Sequence, residues 1–169
     1  MLRNGGRKMK KTGAIWSALV GMLAGSVISA NFVGNYEIKK RNKAEDNYSK
    51  FKEFYEVLIQ WLTIKQNGKS LAEYLEKNEY HSVAIYGMKE LGQRLYEELK
   101  DSGIEIKYII DKNAQEVYAD VPVVTPDAIP EAVDVIIVTA IHYFDQILED
   151  LSSKVDYDVI SIEDMVYGI

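Results

Sequence analysis

The sequence predicts an α/β fold, a small Rossmann-like parallel sheet preceded by a transmembrane helix and an amphipathic helix. Three observations predict this fold. An uncharged run covers residues 12–36, apolar residues recur at helical intervals over 44–66, and from residue 82 short Val- and Ile-rich runs alternate with helical patterns. We therefore expect a basic N-terminal tail (1–11), a transmembrane helix (12–36), a juxtamembrane helical region (37–80) and a Rossmann-like domain (81–169).

The charge of the 169-residue chain is unevenly distributed. Residues 1–68 carry 12 Lys and Arg against 5 Asp and Glu, whereas residues 69–169 carry 8 against 21. Such an acidic C-terminal part argues against nucleic-acid binding, which requires a basic face. The chain has no cysteine, and this excludes disulfides, thiolate metal sites and cysteine nucleophiles.

The uncharged run has the length of a membrane span. Its apolar part, residues 13–33, matches the ~20 residues that cross the hydrocarbon core of a bilayer. A cleaved signal peptide is the alternative, because Ile28 and Ala30 form a passable cleavage site, but such peptides have apolar regions of only ~7 to 15 residues. We therefore expect a single-pass anchor in the cell membrane, in contact with membrane lipid.

Small residues recur at every fourth position of this run and include the G-x-x-x-G pair Gly21 and Gly25. They predict a helix face that allows two backbones to approach closely in lipid. We expect this face to bind a partner membrane helix or a second copy of the chain, which would make the protein a homo-oligomer.

Basic residues on the two sides of the run bear on its orientation. Five precede it when the chain is counted from Met1, two precede it when the chain is counted from Met9, and four follow it within residues 39–43. The count from Met1 is nearly even and leans toward a cytoplasmic N-terminus. When the chain is counted from Met9, the flank that follows the run is the more basic one, and the more basic flank stays in the cytoplasm. We therefore expect a cytoplasmic C-terminal domain.

Residues 44–66 are predicted to form an amphipathic helix with an aromatic-rich face. The apolar residues are Tyr48, Phe51, Phe54, Tyr55, Leu58, Ile59, Leu62 and Ile64. Three partners are open for them: the following domain, which is the simplest, the same helix of a second subunit, or the membrane interface. Asn67-Gly68 ends the helix, and Ser70 with Glu73 predicts a capping box that opens a second helix reaching about Asn78.

Parallel strands joined by crossover helices are predicted for the rest of the chain. We expect strands at 82–87, 106–111, 121–124, 133–139 and 158–161. We expect helices at 89–101 and 142–153, and a last turn at 163–167. The first and fourth strands are nearly continuous Val and Ile, which is typical of strands that are buried on both faces.

A glycine turn after the first strand predicts a ligand site at the carboxyl ends of the strands. It reads Gly87-Met88-Lys89-Glu90-Leu91-Gly92, which is the dinucleotide pattern G-x-G-x-x-G except at Lys89. Asp111 ends the second strand nineteen residues after Gly92, where an acidic residue binds ribose hydroxyls in NAD-type sites. The candidate cofactor-binding residues are the six residues of this turn, Asp111, and Thr139 and Ala140 at the end of the fourth strand.

Lys89 leaves the identity of the ligand open. The middle glycine of the pattern allows the backbone to touch a pyrophosphate, and a side chain takes up that space. Either the ammonium contacts a phosphate or another anion, or the lysine stem covers the turn with its charge near Glu90 or Asp111. The alternatives are NAD(P), another nucleotide or nucleotide-sugar, and no ligand.

The stretch from about Trp61 to the end resembles the small Rossmann modules, labelled nucleoside-diphosphate-sugar epimerase-like, of bacterial capsule and cell-surface polysaccharide loci. These modules carry a glycine turn written Y-G-M-G-E-L-G. The chain matches it at Tyr86, Gly87, Met88, Glu90, Leu91 and Gly92 and departs from it at Lys89. The resemblance implies an NAD(P)-binding-type fold and a place in polysaccharide biosynthesis, but no particular reaction.

No catalytic residue and no metal site is predicted. The Tyr-x-x-x-Lys pair of epimerases does not occur after the fourth strand, and His81 and His142 lack further ligands at metal spacing. We expect His142 to face solvent at the start of a helix rather than to act in catalysis. The sequence favours a membrane-anchored module that binds a nucleotide or nucleotide-sugar. A non-binding membrane scaffold that recruits a polysaccharide enzyme and an NAD-dependent sugar-nucleotide enzyme are the alternatives.

Overall fold

The structure, a computed structural model, describes the secondary structure of residues 9–169 and the side chains of residues 38–169. The chain forms two compact units, Met1–Ser49 and Lys50–Ile169. Within the part whose side chains are described, no helix is both long and apolar enough to cross a membrane. The predicted span at 12–36 and its small-residue face lie outside that part, so both stay predictions.

A five-stranded parallel sheet forms the centre of Lys50–Ile169. Its strands are β1 (Ser82–Tyr86), β2 (Glu105–Ile110), β3 (Val123–Val124), β4 (Val135–Val138) and β5 (Asp158–Ser161). The helices are α1 (Met9–Gln66), α2 (Leu71–Lys77), α3 (Glu90–Leu99), α4 (Phe144–Ser152) and α5 (Ile162–Tyr167). The strand order β3-β2-β1-β4-β5 is consistent with a Rossmann-like fold, and the α/β prediction is confirmed.

The predicted strands and helices of the domain are all present, with ends shifted by one or two residues. The helix predicted from residue 142 begins as a 3-10 turn, Ile141–Tyr143, which leads into α4. β1 ends one residue early because Gly87 adopts a φ of 92° and turns the chain.

The core lies on both faces of the sheet. Along β1, Val83 and Ile85 belong to one apolar cluster, whereas Ala84 and Tyr86 belong to a second cluster on the other face. This alternation follows from the two-residue period of a strand. All four residues of β4 are buried as well, which confirms that the two Val- and Ile-rich strands are central.

The C-terminal part of α1 packs on the first of these clusters. Val57, Trp61 and Ile64 are buried there, and the Trp61 indole donates a hydrogen bond of 2.8 Å to Oε2 of Glu98 on α3. Of the eight residues of the predicted apolar face, Ile64 is buried here, and Phe54 and Leu58 are partly buried against the same cluster. The following domain is therefore the partner of these three residues, whereas the prediction is wrong for the other five, which are exposed: Tyr48, Phe51, Tyr55, Ile59 and Leu62.

The capping box predicted at Ser70 is not formed. Ser70 is the N-cap of α2, but its side chain makes no capping hydrogen bond. The Leu71 amide instead donates to Oε1 of Glu98 at 2.7 Å, and the Lys65 ammonium lies 3.4 Å from the same oxygen. The capping-box prediction is wrong: the Glu73 amide, which the Ser70 hydroxyl would accept from, donates instead to the Ser70 carbonyl at 3.2 Å. Glu98 satisfies a different free amide of α2, that of Leu71.

A capping box does open α5, where the sequence analysis did not place one. The Ser161 hydroxyl accepts from the Glu163 amide at 3.2 Å, and the Asp164 carboxylate accepts from the Ser161 amide at 3.0 Å. The Ser-x-x-Asp spacing is the signal for this cap. It allows α5 to begin immediately after β5.

Candidate functional site

A cleft of about 480 Å³ opens at the carboxyl ends of β1, β2 and β4. β1 lies between β2 and β4, so the crossovers after β1 and β2 run toward one edge of the sheet and the later ones toward the other. Ligands of open α/β sheets bind at such a reversal of strand order. The volume lies within the range of small-molecule sites.

The glycine turn forms one wall of this cleft and is held closely against the sheet. The Gly87 amide donates to the Ile110 carbonyl at 2.8 Å, which ties the turn to β2. A Cβ at Gly92 would lie 2.0 Å from the Gly87 oxygen, far inside any permitted contact. Glycine at both ends of the pattern is therefore required by the backbone itself, at Gly87 by its positive φ and at Gly92 by close packing.

Thr139 fastens the turn from β4. Its buried hydroxyl lies within hydrogen-bonding distance of two carbonyl oxygens, 3.1 Å from that of Tyr86 and 2.7 Å from that of Gly87, and its amide donates to the Tyr86 carbonyl at 2.9 Å. Ala140 follows it at the mouth of the cleft. Both predicted residues thus line the cleft, and Thr139 uses its only proton to hold the turn.

Asp111 joins the turn to the end of β2. Its Oδ2 accepts from the Met88 amide at 3.0 Å, and its Oδ1 accepts from the Asn113 amide at 2.8 Å. Each carboxylate oxygen has a second acceptor position. The carboxylate can therefore hold the turn and still accept a hydrogen bond from a ligand hydroxyl in the cleft.

The remaining predicted residues take different positions. Lys89, Glu90 and Leu91 line the cleft, Lys89 as the exposed N-cap of α3 and Leu91 as a buried residue. Met88 lines a separate, open hollow of about 800 Å³ on the far side of α3. Gly92 lies beneath the turn and does not line the cleft.

Two lysines face the cleft without a counterion. Lys89 and Lys112 are both exposed, and within the described residues neither side chain forms an ion pair or hydrogen bond. No ion pair between Lys89 and Glu90 or Asp111 occurs among the described residues. The alternative in which the Lys89 charge rests near one of these carboxylates stays a prediction. Beside Lys89, the first amides of α3 have no partner within the helix and favour an anion.

The wall opposite the turn includes residues that the sequence analysis did not select. Phe54 of α1 lines the cleft, and Oε2 of the neighbouring Glu53 lies 2.9 Å from Nδ1 of His142. The Lys50 ammonium lies 5.7 Å from the ring centroid of Tyr143. The interpretation of His142 as solvent-facing is wrong, because its side chain is only 18 % exposed against Glu53.

The aromatic side chain of Tyr86 contributes a neutral polar group. Burial, and to a lesser extent the carboxylates of Asp150, Asp111 and Asp127, raises the pKa of its phenol. The hydroxyl therefore stays protonated near neutral pH and can act as a hydrogen-bond donor. Across the residues with described side chains, no cluster of three His, Asp or Glu groups is arranged to hold a metal ion.

Comparison of the chain with protein-family models, with curated proteins and with solved structures found no match. The resemblance to the modules of polysaccharide loci therefore stays a prediction. The geometry of the cleft is what supports a function for this chain.

Proposed function

We propose that the cleft binds the phosphates of a nucleotide or nucleotide-sugar, and that the chain is a membrane-anchored module of bacterial surface polysaccharide biosynthesis. The observation that carries the binding proposal is a pair of lysines at one cleft, Lys89 within the glycine turn and Lys112 after β2, beside the N-terminus of α3. Neither forms an ion pair or hydrogen bond within the described residues.

The charge of the surrounding chain supports a phosphate ligand. Residues 69–169 contain 21 acidic residues and only 8 basic ones. Carboxylates are therefore abundant on this surface, yet the two lysines at the cleft pair with none of them in the described structure. Two free ammonium groups and a helix N-terminus together favour a doubly charged group such as a diphosphate.

The backbone at Lys89 supports a contact through the side chain. Its φ of −82° and ψ of −156° are extended values that any residue adopts, so the turn does not require glycine at this position. A glycine there serves a dinucleotide by letting the backbone approach the pyrophosphate. With lysine, the ammonium takes over that contact at a greater distance from the turn.

Asp111 and Tyr86 supply the groups that a nucleoside would contact. The free acceptor positions of Asp111 suit ribose hydroxyls, and the protonated Tyr86 phenol suits a carbonyl or phosphate oxygen. Phe54 and Tyr143 add apolar surface at the same cleft, where a base or sugar ring could pack.

Calorimetric titration of the full-length chain in detergent tests the proposal with UDP, UDP-glucose and NAD as ligands. We expect UDP and UDP-glucose to bind. Lys89→Gly and Lys112→Ala should each weaken binding by about 1.5 to 3 kcal/mol, the cost of losing a charge-assisted hydrogen bond. Lys100→Ala is the matched control, because Lys100 is an exposed lysine at the opposite end of α3 that pairs with Glu97.

The sign of the Lys89→Gly effect separates the two interpretations of this residue. Stronger NAD binding by the variant would mean that Lys89 obstructs a dinucleotide site. Absence of binding by the wild-type chain to all three compounds would contradict the proposal and favour the scaffold alternative.

A further inference from the structure

His142 stands at the cleft with one ring nitrogen bound and the other free. It belongs to the 3-10 turn Ile141–Tyr143 after β4 and lines the same cleft as Lys89 and Lys112. Its Nδ1 lies 2.9 Å from Oε2 of Glu53 on α1. In the described part of the chain, Nε2 has no hydrogen-bond partner. Since no buried side-chain nitrogen in that part lacks a partner, Nε2 is accessible to a ligand.

Glu53 decides which nitrogen carries the proton of the neutral imidazole. A carboxylate accepts hydrogen bonds and donates none, so the proton lies on Nδ1 and Nε2 is an acceptor. Protonation of the ring then adds a proton at Nε2, which becomes a charged donor. An acceptor has no hydrogen to offer a phosphate oxygen, whereas a charged donor binds it strongly. The contact with Glu53 therefore makes Nε2 a group whose attraction for an anion depends on pH.

The same contact contributes little to the packing of α1. The Glu53 side chain is 54 % exposed, and exposed ion pairs stabilise a fold only weakly. The helix is already held by the burial of Val57, Trp61 and Ile64. What the contact does determine is the orientation and tautomer of the His142 ring, as carboxylates bonded to imidazoles do in other sites.

We propose that His142 is a third phosphate contact of the cleft, that Glu53 positions it, and that binding strengthens as the pH falls. This assignment rests on the proposed nucleotide function, because it adds a residue to the same site. Imidazole is the side chain whose ordinary charge change falls between about pH 5 and 8. The cleft therefore combines the two lysines, Lys89 and Lys112, with a cation that forms only when the ring is protonated.

Other titratable groups surround the imidazole and come from each neighbouring element. Those that share the cleft with it are Tyr86, Lys89, Glu90, Asp111, Lys112 and Tyr143, and Asp145 and Glu163 share a smaller hollow of about 390 Å³. From α1, Glu53 contacts the ring and Lys50 lies against Tyr143. Burial raises the pKa of Glu163, and the carboxylates of Glu53 and Asp164 raise it further, whereas His142 opposes this. Glu163 is therefore a second group that can take up a proton as the pH falls.

Calorimetric titration of the full-length chain in detergent with UDP-glucose, at about pH 6 and about pH 8, tests the proposal. The diphosphate of UDP-glucose does not ionise over this range, so a pH dependence comes from the protein. We expect about fivefold tighter binding at the lower pH, the scale of one charge-assisted hydrogen bond that is partly formed. His142→Asn should bind equally at both pH values, because an amide takes up no proton. Glu163→Gln should keep the wild-type dependence.

Removal of Glu53 tests its role as a positioning residue. Loss of a carboxylate beside an anion site reduces repulsion and by itself strengthens anion binding. We expect Glu53→Ala instead to weaken UDP-glucose binding at the lower pH by about threefold, because the ring loses its partner. Glu56→Ala is the matched control: Glu56 lies on the same helix, its side chain is 53 % exposed, and it pairs with Lys52. This control should bind like the wild-type chain.

The possible failures can be told apart. A wild-type chain that binds UDP-glucose equally at both pH values, or a His142→Asn chain that keeps the dependence, would overturn the assignment of His142 and leave the proposed function intact. Unchanged or stronger binding by Glu53→Ala would overturn the positioning role of Glu53. Absence of binding at both pH values would overturn the assignment and the proposed function together. A dependence that requires His142, in a chain unaffected by Lys89→Gly and Lys112→Ala, would support His142 and contradict the lysine contacts.

Discussion

Replacement of Gly92 by alanine tests whether the glycine turn is built by packing. A Cβ at this position would lie 2.0 Å from the Gly87 oxygen, 3.0 Å from the Gly87 carbonyl carbon and 3.3 Å from Oγ1 of Thr139. Two of these atoms belong to the backbone of the turn, so no side-chain rotation relieves the contact. Either α3 or the turn must move by about 1 Å.

The expected loss of stability combines two destabilising effects and one stabilising effect. Forcing extra volume into a packed site costs about 1 to 3 kcal/mol. Moving the Gly87 carbonyl also breaks its 2.7 Å hydrogen bond with Thr139, a loss of about 1 kcal/mol. Alanine regains about 1 kcal/mol of helix propensity in α3. We expect Gly92→Ala to lower the free energy of unfolding by about 2 kcal/mol.

Urea unfolding followed by the fluorescence of Trp61 measures this change, with Trp16 replaced by Phe so that one indole remains. Trp61 is a suitable probe because it is buried on the side of α1 that faces α3. Gly103→Ala is the control, since a Cβ at Gly103 meets nothing within 4 Å. Its stability should stay the same or rise by up to about 1 kcal/mol. A Gly92→Ala chain as stable as Gly103→Ala would refute the packing argument.

Two further outcomes are expected. Amide hydrogen bonds from His81 and Ser82 hold the pKa of Asp134 below its usual value, so its contribution to stability is present above the unfolded pKa and is lost as the pH falls through the folded one. In the Asp134→Asn chain, the free energy of unfolding should therefore decline less steeply below about pH 4. The difference should be less than about 1 kcal/mol because the Asp134 carboxylate is exposed. Urea titrations at several pH values measure it, and an unchanged pH dependence would contradict this assignment. Alkaline phosphatase fused after Ile169 should be inactive in a bacterial host, as a cytoplasmic C-terminal domain requires, whereas strong activity would favour the secreted alternative.

The sheet could be predicted from the sequence because its signals are local. Strands that are buried on both faces consist of nearly continuous Val and Ile, and proline and glycine occur in the segments between them. The five strands and the glycine turn between β1 and α3 therefore emerge at nearly the predicted positions. The strand ends differ by a residue or two because hydrogen bonds, such as that from the Gly87 amide to Ile110, decide them.

The contacts that complete the site could not be predicted because they join distant residues. Glu53 and His142 are 89 positions apart, and Glu98 accepts from the Leu71 amide across 27 positions. No spacing rule links such residues. The capping box predicted at Ser70 is wrong although the local motif is present: the Glu73 amide donates to the Ser70 carbonyl and not to its hydroxyl.

Thr139 and Asp111 show how a site residue can serve the fold first. Both are predicted as ligand contacts from their place at the ends of strands. In the structure the Thr139 hydroxyl is held against the backbone of the turn, and both Asp111 oxygens accept amides. Position at the carboxyl end of a strand therefore identifies the site, whereas the hydrogen-bond partners decide what each residue does there.

The glycines of the G-x-G-x-x-G pattern can be separated by what requires them. At Gly87 the backbone has a φ of 92°, and at Gly92 a side chain would strike the turn, so the fold requires glycine at both. The middle position, Lys89, has an ordinary extended conformation, and only a ligand gives a reason for glycine there. This chain carries glycine where the fold needs it and a free cation where the ligand would be. An exposed lysine needs no partner, because water solvates it, and among the described residues Lys69 and Lys77 also form no ion pair. What distinguishes Lys89 is its place in the turn, beside the N-terminus of α3. The titration of the Lys89→Gly chain therefore decides between a phosphate contact and a solvated surface charge.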